Sequence, residues 1–231
     1  MKLLALDTAT EWCTVALWLG DGAGAGECVA REVHAGQRHS DLLAPMVMAL
    51  LADAGLRLSD LDGLAYGMGP GSFTGLRIAC GVVQGLALGA DLPVLGVSTL
   101  EALAEEARDR FGAEAVVACL DARMNEVYAG LYRHDGQGWQ SQAGPLVCPP
   151  DAAPLPAAGQ YVGVGSGFAA YPALGQRYAG YLSHSDTALF PHARAIVRLS
   201  APRFARGEGL PPEAAEPLYI RDKVALKICE R

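Results

Sequence analysis

Residues 7–10, Asp-Thr-Ala-Thr, put a carboxylate and two hydroxyls into the polar turn between two apolar runs, 2–8 and 13–19. In a hairpin of this kind, backbone amides and hydroxyls can face a phosphate while the aspartate holds a metal-bound water. The same residues also suit an ordinary β-turn, in which Asp and Thr make local hydrogen bonds. Downstream, Gly-Met-Gly-Pro-Gly-Ser-Phe-Thr-Gly-Leu-Arg at 67–77 is the densest signal in the chain. Its glycines and proline fix a turn, and Ser72 or Thr74 can cap the following helix, whose amide end could take an anion. No Lys-Ser/Thr pair follows at the spacing a Walker loop needs, and simple loop-plus-cap geometry explains the segment equally well.

Asp121-Ala122-Arg123 ends the first strand of the second half, the place that Asp7 holds in the first. Gly163-Val164-Gly165-Ser166-Gly167 is a glycine turn able to admit a base or ribose. Asp7, Thr8, Thr10, Asp121, Gly163 and Gly165 therefore form a candidate nucleotide cleft, although Asp121 and Arg123 could equally be a surface pair. His39 and Ser40 are adjacent, so their side chains point apart and no nucleophile–base pair results. The five histidines contain no i,i+4 pair, and the six cysteines contain no Cys-x-x-Cys and lie mostly in apolar runs. Both patterns favour structural roles over a metal site.

These residues require elements to hold them. Three strands in succession (2–8, 13–19 and 27–34) precede a helix over 40–54, with Ser40 as its N-cap and Pro45 bending or restarting it. A strand at 61–67, a helix at 73–89, a strand at 92–97 and a helix at 99–110 follow. Strands at 115–120, 126–133 and 143–147 repeat the opening order. A Pro/Ala/Gly-rich stretch at 149–160, a strand at 160–164 and a helix at 191–206 complete the chain. This is an α/β pattern with a mixed sheet and flanking helices in each of two domains, 1–110 and 111–231, and it fits an internal duplication.

Two helices carry surface signals. In 73–89, Gly81, Gly85 and Gly89 recur every four residues on one face, and each interior glycine costs about 0.5–1 kcal/mol relative to alanine. The face could pack closely on the protein's own sheet or admit a partner helix. Helix 40–54 has a broad apolar arc containing Leu42, Leu43, Met46 and Leu50. Together they point to a protein–protein surface.

A net charge of −7 without a basic stripe argues against nucleic-acid binding by this chain alone. The locally basic tail from Arg221 to Arg231 reads as a solvated end. No run approaches the roughly 18 apolar residues of a membrane helix, and the first residues do not resemble a signal peptide. A soluble, cytoplasmic protein without membrane contact is expected.

LLALDTAT at 3–10, RHSDLLAP at 38–45, GMGPGSFTGLRIACGVVQGLA at 67–87, GVSTLEALA at 96–104 and EPLYIRDKVA at 216–225 together resemble the TsaB (YeaZ) family. The resemblance implies a two-domain fold of the actin, sugar kinase and Hsp70 type. It also implies a place in the bacterial machinery that makes threonylcarbamoyladenosine beside the tRNA anticodon. TsaB-like proteins pair there with a catalytic TsaD-like paralogue and with a TsaE-like ATPase. The contact runs through first-domain helices, and tRNA is met only through the complex. TsaD-like proteins carry a His-x-x-x-His metal pair where this chain has Thr99 and Leu103, so no metal site is expected.

The leading expectation is a non-catalytic scaffold subunit that contacts its paralogue through Leu42, Leu43, Met46, Leu50, Gly81 and Gly85. Alone, it would form homodimers through the same surface. No cofactor is required, with ADP or ATP in a degenerate cleft or at the interface as the exception. The alternatives are a nucleotide-dependent phosphotransferase or ATPase built on Asp7 and Asp121, and a metalloprotease, which the absent histidine pair disfavours.

Overall fold

The computed structural model describes residues 1–21 and 26–221. Its first sheet comprises β1 (Lys2–Asp7), β2 (Trp12–Gly20), β3 (Gly26–His34), β4 (Gly63–Gly69) and β5 (Val94–Ser98), in the order β3-β2-β1-β4-β5. The hairpin strands run antiparallel, with Asp7 opposite Thr14, whereas β4 and β5 run parallel to β1. The second sheet comprises β6 (Ala115–Arg123), β7 (Glu126–His134), β8 (Trp139–Cys148), β9 (Tyr161–Val164) and β10 (Leu182–Asp186). Its order is β10-β9-β6-β7-β8, the same topology met a second time, so the duplication is structural. β1 and β6 are central and buried, and both read as continuous apolar runs.

The helices are α1 (His39–Asp53), α2 (Phe73–Ala90), α3 (Thr99–Phe111), α4 (Ser166–Ala170), α5 (Pro172–Arg177) and α6 (Ala193–Ala205). Arg38, not Ser40, holds the N-cap position of α1, and Ser40 lies in the first turn with its hydroxyl on Asp41. α1 runs through Pro45 without interruption. Ser72 caps α2, accepting the Gly75 amide at 3.2 Å. By length and composition α2 could cross a membrane, contrary to the reading that no run is apolar enough. Its buried side, however, including Ala79, Cys80, Val83 and Ala87, packs into the first domain's core.

A division at residue 110 separates the sheets, but helices of each half also cover the sheet of the other. α3, from the first half, lays Leu100, Leu103, Ala104 and Ala107 on Val116, Ala118 and Leu120 of the second sheet. α6, from the second half, packs Ala193, Ile196 and Val197 against Leu3, Ala5 and Ala65 of the first. The two helices are tied by a bidentate Arg194–Glu106 pair at 2.7–3.1 Å and by Arg198–Asp109 at 2.7 Å. At the start of α6, His192 Nδ1 accepts the Arg194 amide, which leaves Nε2–H to face Glu32 at 3.0 Å.

The chain then returns along the first domain. Val94 and Leu210 exchange backbone hydrogen bonds of 2.8 and 2.9 Å, and the Leu218 amide donates to Met68 O at 2.7 Å. Arg221 is no solvated end: its side chain is 14% exposed and its guanidinium pairs with Glu126. Lys223, Lys227 and Arg231 lie outside the described residues, as do Cys229 and the last part of the 216–225 motif.

Candidate functional site

The turn after β1 is engaged by its own chain. Asp7 is fully buried; its Oδ1 accepts the Ala9 amide at 3.0 Å and its Oδ2 has no hydrogen-bond partner among the described residues. Burial pushes this carboxyl up to about 7, since removal from water disfavours the charged form. Only glycine fits opposite, because a Cβ at Gly67 would lie 1.8 Å from Oδ2. Thr8 donates its hydroxyl to Gly75 O at 2.7 Å, and the Ser72 amide donates to Ala9 O at 2.8 Å. A Cβ at Gly71 or Gly75 would meet Ala9 O or Thr8 O at 2.6 or 1.9 Å. The glycines of the 67–77 motif thus let the start of α2 press onto the hairpin, and the Ser72 and Gly75 amides there are engaged by Ala9 O and Ser72 Oγ. Thr10, half-buried, accepts from the Trp12 amide at 3.3 Å.

The second hairpin differs. Asp121 accepts the Arg123 amide at 2.8 Å, the Tyr171 hydroxyl at 3.0 Å and the Arg123 guanidinium at 3.1 Å. Arg123 also reaches Glu11 of the first hairpin at 3.5 Å, so the two turns do meet. Gly163 and Gly165 are packing residues. A Cβ at Gly163 would touch the Phe168 ring at 2.9 Å, and at Gly165, where φ is +105°, it would lie 2.4 Å from Cys119 O. Asp7 and Thr8 are sealed and these glycines are filled against their own chain. The set does not form an open nucleotide cradle as folded.

Thr99 and Leu103, which stand in place of the histidine pair, are both buried. Thr99 donates to Pro70 O, and Leu103 belongs to the core between α3 and the second sheet. Among the described residues no three His, Cys, Asp or Glu side chains are grouped to hold a metal.

The helical surface separates more cleanly. Leu43 and Leu50 are 0% and 1% exposed and face the first domain's core, which removes both from the contact set. The arc on α1 is broad because its inner half fills this core. Leu42 and Met46 are half-buried at its edge. Gly81, Gly85 and Gly89 are exposed, and among the described residues no atom beyond the adjoining helix backbone lies within 4 Å of a Cβ built on any of them. The stripe therefore points away from the protein's own sheet. Leu88, 65% exposed, stands beside Gly81 and Gly85 on the helix, and Met48 on α1 is 59% exposed. At the start of α2, Arg77 lies 3.4 Å over the exposed Phe73 ring, which itself adjoins Tyr219. These apolar and aromatic residues were not singled out by sequence reasoning. For Leu88 the signal was available, since three residues beyond Gly85 is the same helix face.

Two repeats of one mixed five-stranded topology, with helices exchanged between them, define a two-domain α/β protein of the actin-like class. Comparison narrows this. The family model described as "TsaD: tRNA N6-adenosine threonylcarbamoyltransferase" matches residues 32–225. The chain is 42% identical to the Escherichia coli K12 tRNA threonylcarbamoyladenosine biosynthesis protein TsaB, over 98% of this chain and 97% of that one. It is 38% identical to the Haemophilus influenzae TsaB over 98% and 96%. The solved structure of YeaZ from Pseudomonas aeruginosa superposes with a TM-score of 0.83 at 41% identity, covering 94% of this chain and 99% of that one. The chain belongs to the TsaB proteins of tRNA threonylcarbamoyladenosine biosynthesis, within the broader TsaD-type family.

Proposed function

We propose that this chain is a non-catalytic subunit of the cytoplasmic threonylcarbamoyladenosine machinery that docks a TsaD-type paralogue on the outer face of α2 and the adjoining edge of α1. The single observation that carries the reading is the glycine stripe. Three glycines inside one helix lower its stability by a few kcal/mol in total, at about 0.5–1 each, and no packing among the described residues calls for them. A smooth stripe beside exposed Leu88 suits close approach of a second helix. Leu42 and Met46 are half-buried on α1, which packs beside α2, and Asp7, Thr8 and Asp121 are sealed or engaged elsewhere. The paralogue supplies the catalytic groups and meets the tRNA, and the assembled pair recruits the TsaE-type ATPase. In isolation the same face pairs two copies of this chain.

Size-exclusion chromatography with light scattering on a mixture with the TsaD-type protein of the same organism tests this directly. The wild type is expected to give a heterodimer. Gly85→Leu, which places a branched side chain on the open face, is expected to remain folded and fail to form it. Absence of a complex with the wild type, in the presence of nucleotide and the ATPase, would refute the proposal.

A further inference from the structure

The route of the last described residues has a consequence for the two hairpins. Residues 207–221 are fastened along the first domain by the Val94–Leu210 bridge, by Ala215 O, which accepts from Cys80 Sγ at 3.1 Å and Gln84 Nε2 at 3.0 Å, and by Leu218 on Met68. Tyr66 adds a two-way link, accepting the Glu216 amide at 2.8 Å and donating to Glu216 O at 3.1 Å. From this anchored line Arg221 crosses to the second domain. There it pairs with the Glu126 carboxylate, donates to Arg123 O at 3.4 Å and contacts Met124 Sδ at 3.1 Å.

The turn it grips is strained. Arg123, Met124 and Asn125 have φ of 62°, 55° and 59°, three successive left-handed residues without a glycine. L-residues with side chains disfavour this region, so such a turn persists only where its surroundings hold it. Asp121 and Tyr171 hold it from within the second domain, and Arg221 holds it from the first. Arg123, the first residue of the turn, also carries the pair to Glu11. That pair is exposed on both sides and worth little by itself, whereas Arg221 is largely enclosed.

We infer that residues 207–221 form a strap whose terminal Arg221 clasps the strained β6–β7 turn and thereby keeps the two hairpins closed on each other. Releasing Arg221 lets the turn relax, Arg123 loses its aim at Glu11, and the mouth between the domains opens while both sheets stay intact. This follows from contacts within the chain and is independent of the docking proposal.

Hydrogen exchange read by mass spectrometry on the full chain tests it, comparing wild type, Arg221→Ala and Glu126→Gln. Peptides spanning 121–128 are expected to exchange at least about fivefold faster in both variants, with 8–12 following and the central strands β1 and β6 unchanged. Wild-type exchange across 121–128 in both variants would overturn the clasp. So would equal acceleration in the central strands, because the variants would then have loosened the whole fold.

Discussion

Replacing Gly81, Gly85 and Gly89 together by alanine should make the free protein more stable and a poorer partner. Each position is helical with open space where the methyl would go, so the substitutions meet no steric resistance inside the chain. An interior helical Gly→Ala change contributes about 0.5–1 kcal/mol, mainly by restricting the unfolded chain, so three give about 1.5–3 kcal/mol. For a chain of 231 residues, 1 kcal/mol corresponds to roughly 2–4 °C, and the melting temperature should rise by about 3–12 °C. Thermal unfolding followed by circular dichroism reads this, with light scattering to fix the oligomeric state, since a dimer would add its own stability. Affinity for the TsaD-type paralogue should fall at least about tenfold, because three methyl groups fill the groove a partner backbone would occupy. A lower melting temperature would mean that the glycines serve internal packing after all. A higher one with undiminished affinity would place the docking surface elsewhere.

The same partition of α1 and α2 predicts opposite phenotypes for two leucines. Leu50→Ala should cost about 2–5 kcal/mol in denaturant unfolding. Leu88→Ala should stay within about 0.5 kcal/mol yet weaken docking. Asp7 gives a pH signature. Its carboxyl moves from 3.8 to about 7 on folding, so between those values the folded state holds a proton that the unfolded chain has released. The stability it contributes is complete below pH 3.8 and is lost as pH rises to about 7, a change of at most about 4 kcal/mol. Asp7→Asn should abolish that slope, and parallel stability–pH curves for the two proteins would refute it. Restoring the histidine pair with Thr99→His and Leu103→His should lower the melting temperature without conferring metal binding, since both sites are sealed and offer only two ligands. Bound zinc or iron detected by native mass spectrometry would contradict this.

The central strands and main helices were legible because their signals are local. β1 and β6 are uninterrupted apolar runs, and α2 opens on Ser72 after a glycine turn. β10 was missed: Leu-Ser-His-Ser-Asp is a largely exposed edge strand with no apolar alternation. The exchange of α3 and α6 was illegible for a different reason. Periodicity reports that a helix has a buried face but not which sheet receives it: α3 meets both sheets, and α6 packs on the sheet of the other half. The apolar arc of α1 misled similarly, because Leu43 and Leu50 share hydropathy with Leu42 and differ only in direction.

The two hairpins show how topological equivalence can coexist with chemical divergence. Asp7 and Asp121 sit near the ends of the first strands of repeated sheets, yet one is sealed behind Gly67 and the other gathers Arg123 and Tyr171. Residue types that would read as phosphate chemistry, Asp7, Thr8 and the 67–77 glycines, are committed to joining β1 to α2. Gly81, Gly85, Gly89 and Leu88 on the outer face of α2 are chemically inert and are exposed among the described residues. Mutating Asp7 should therefore act mainly through stability, and mutating Gly85 mainly through assembly.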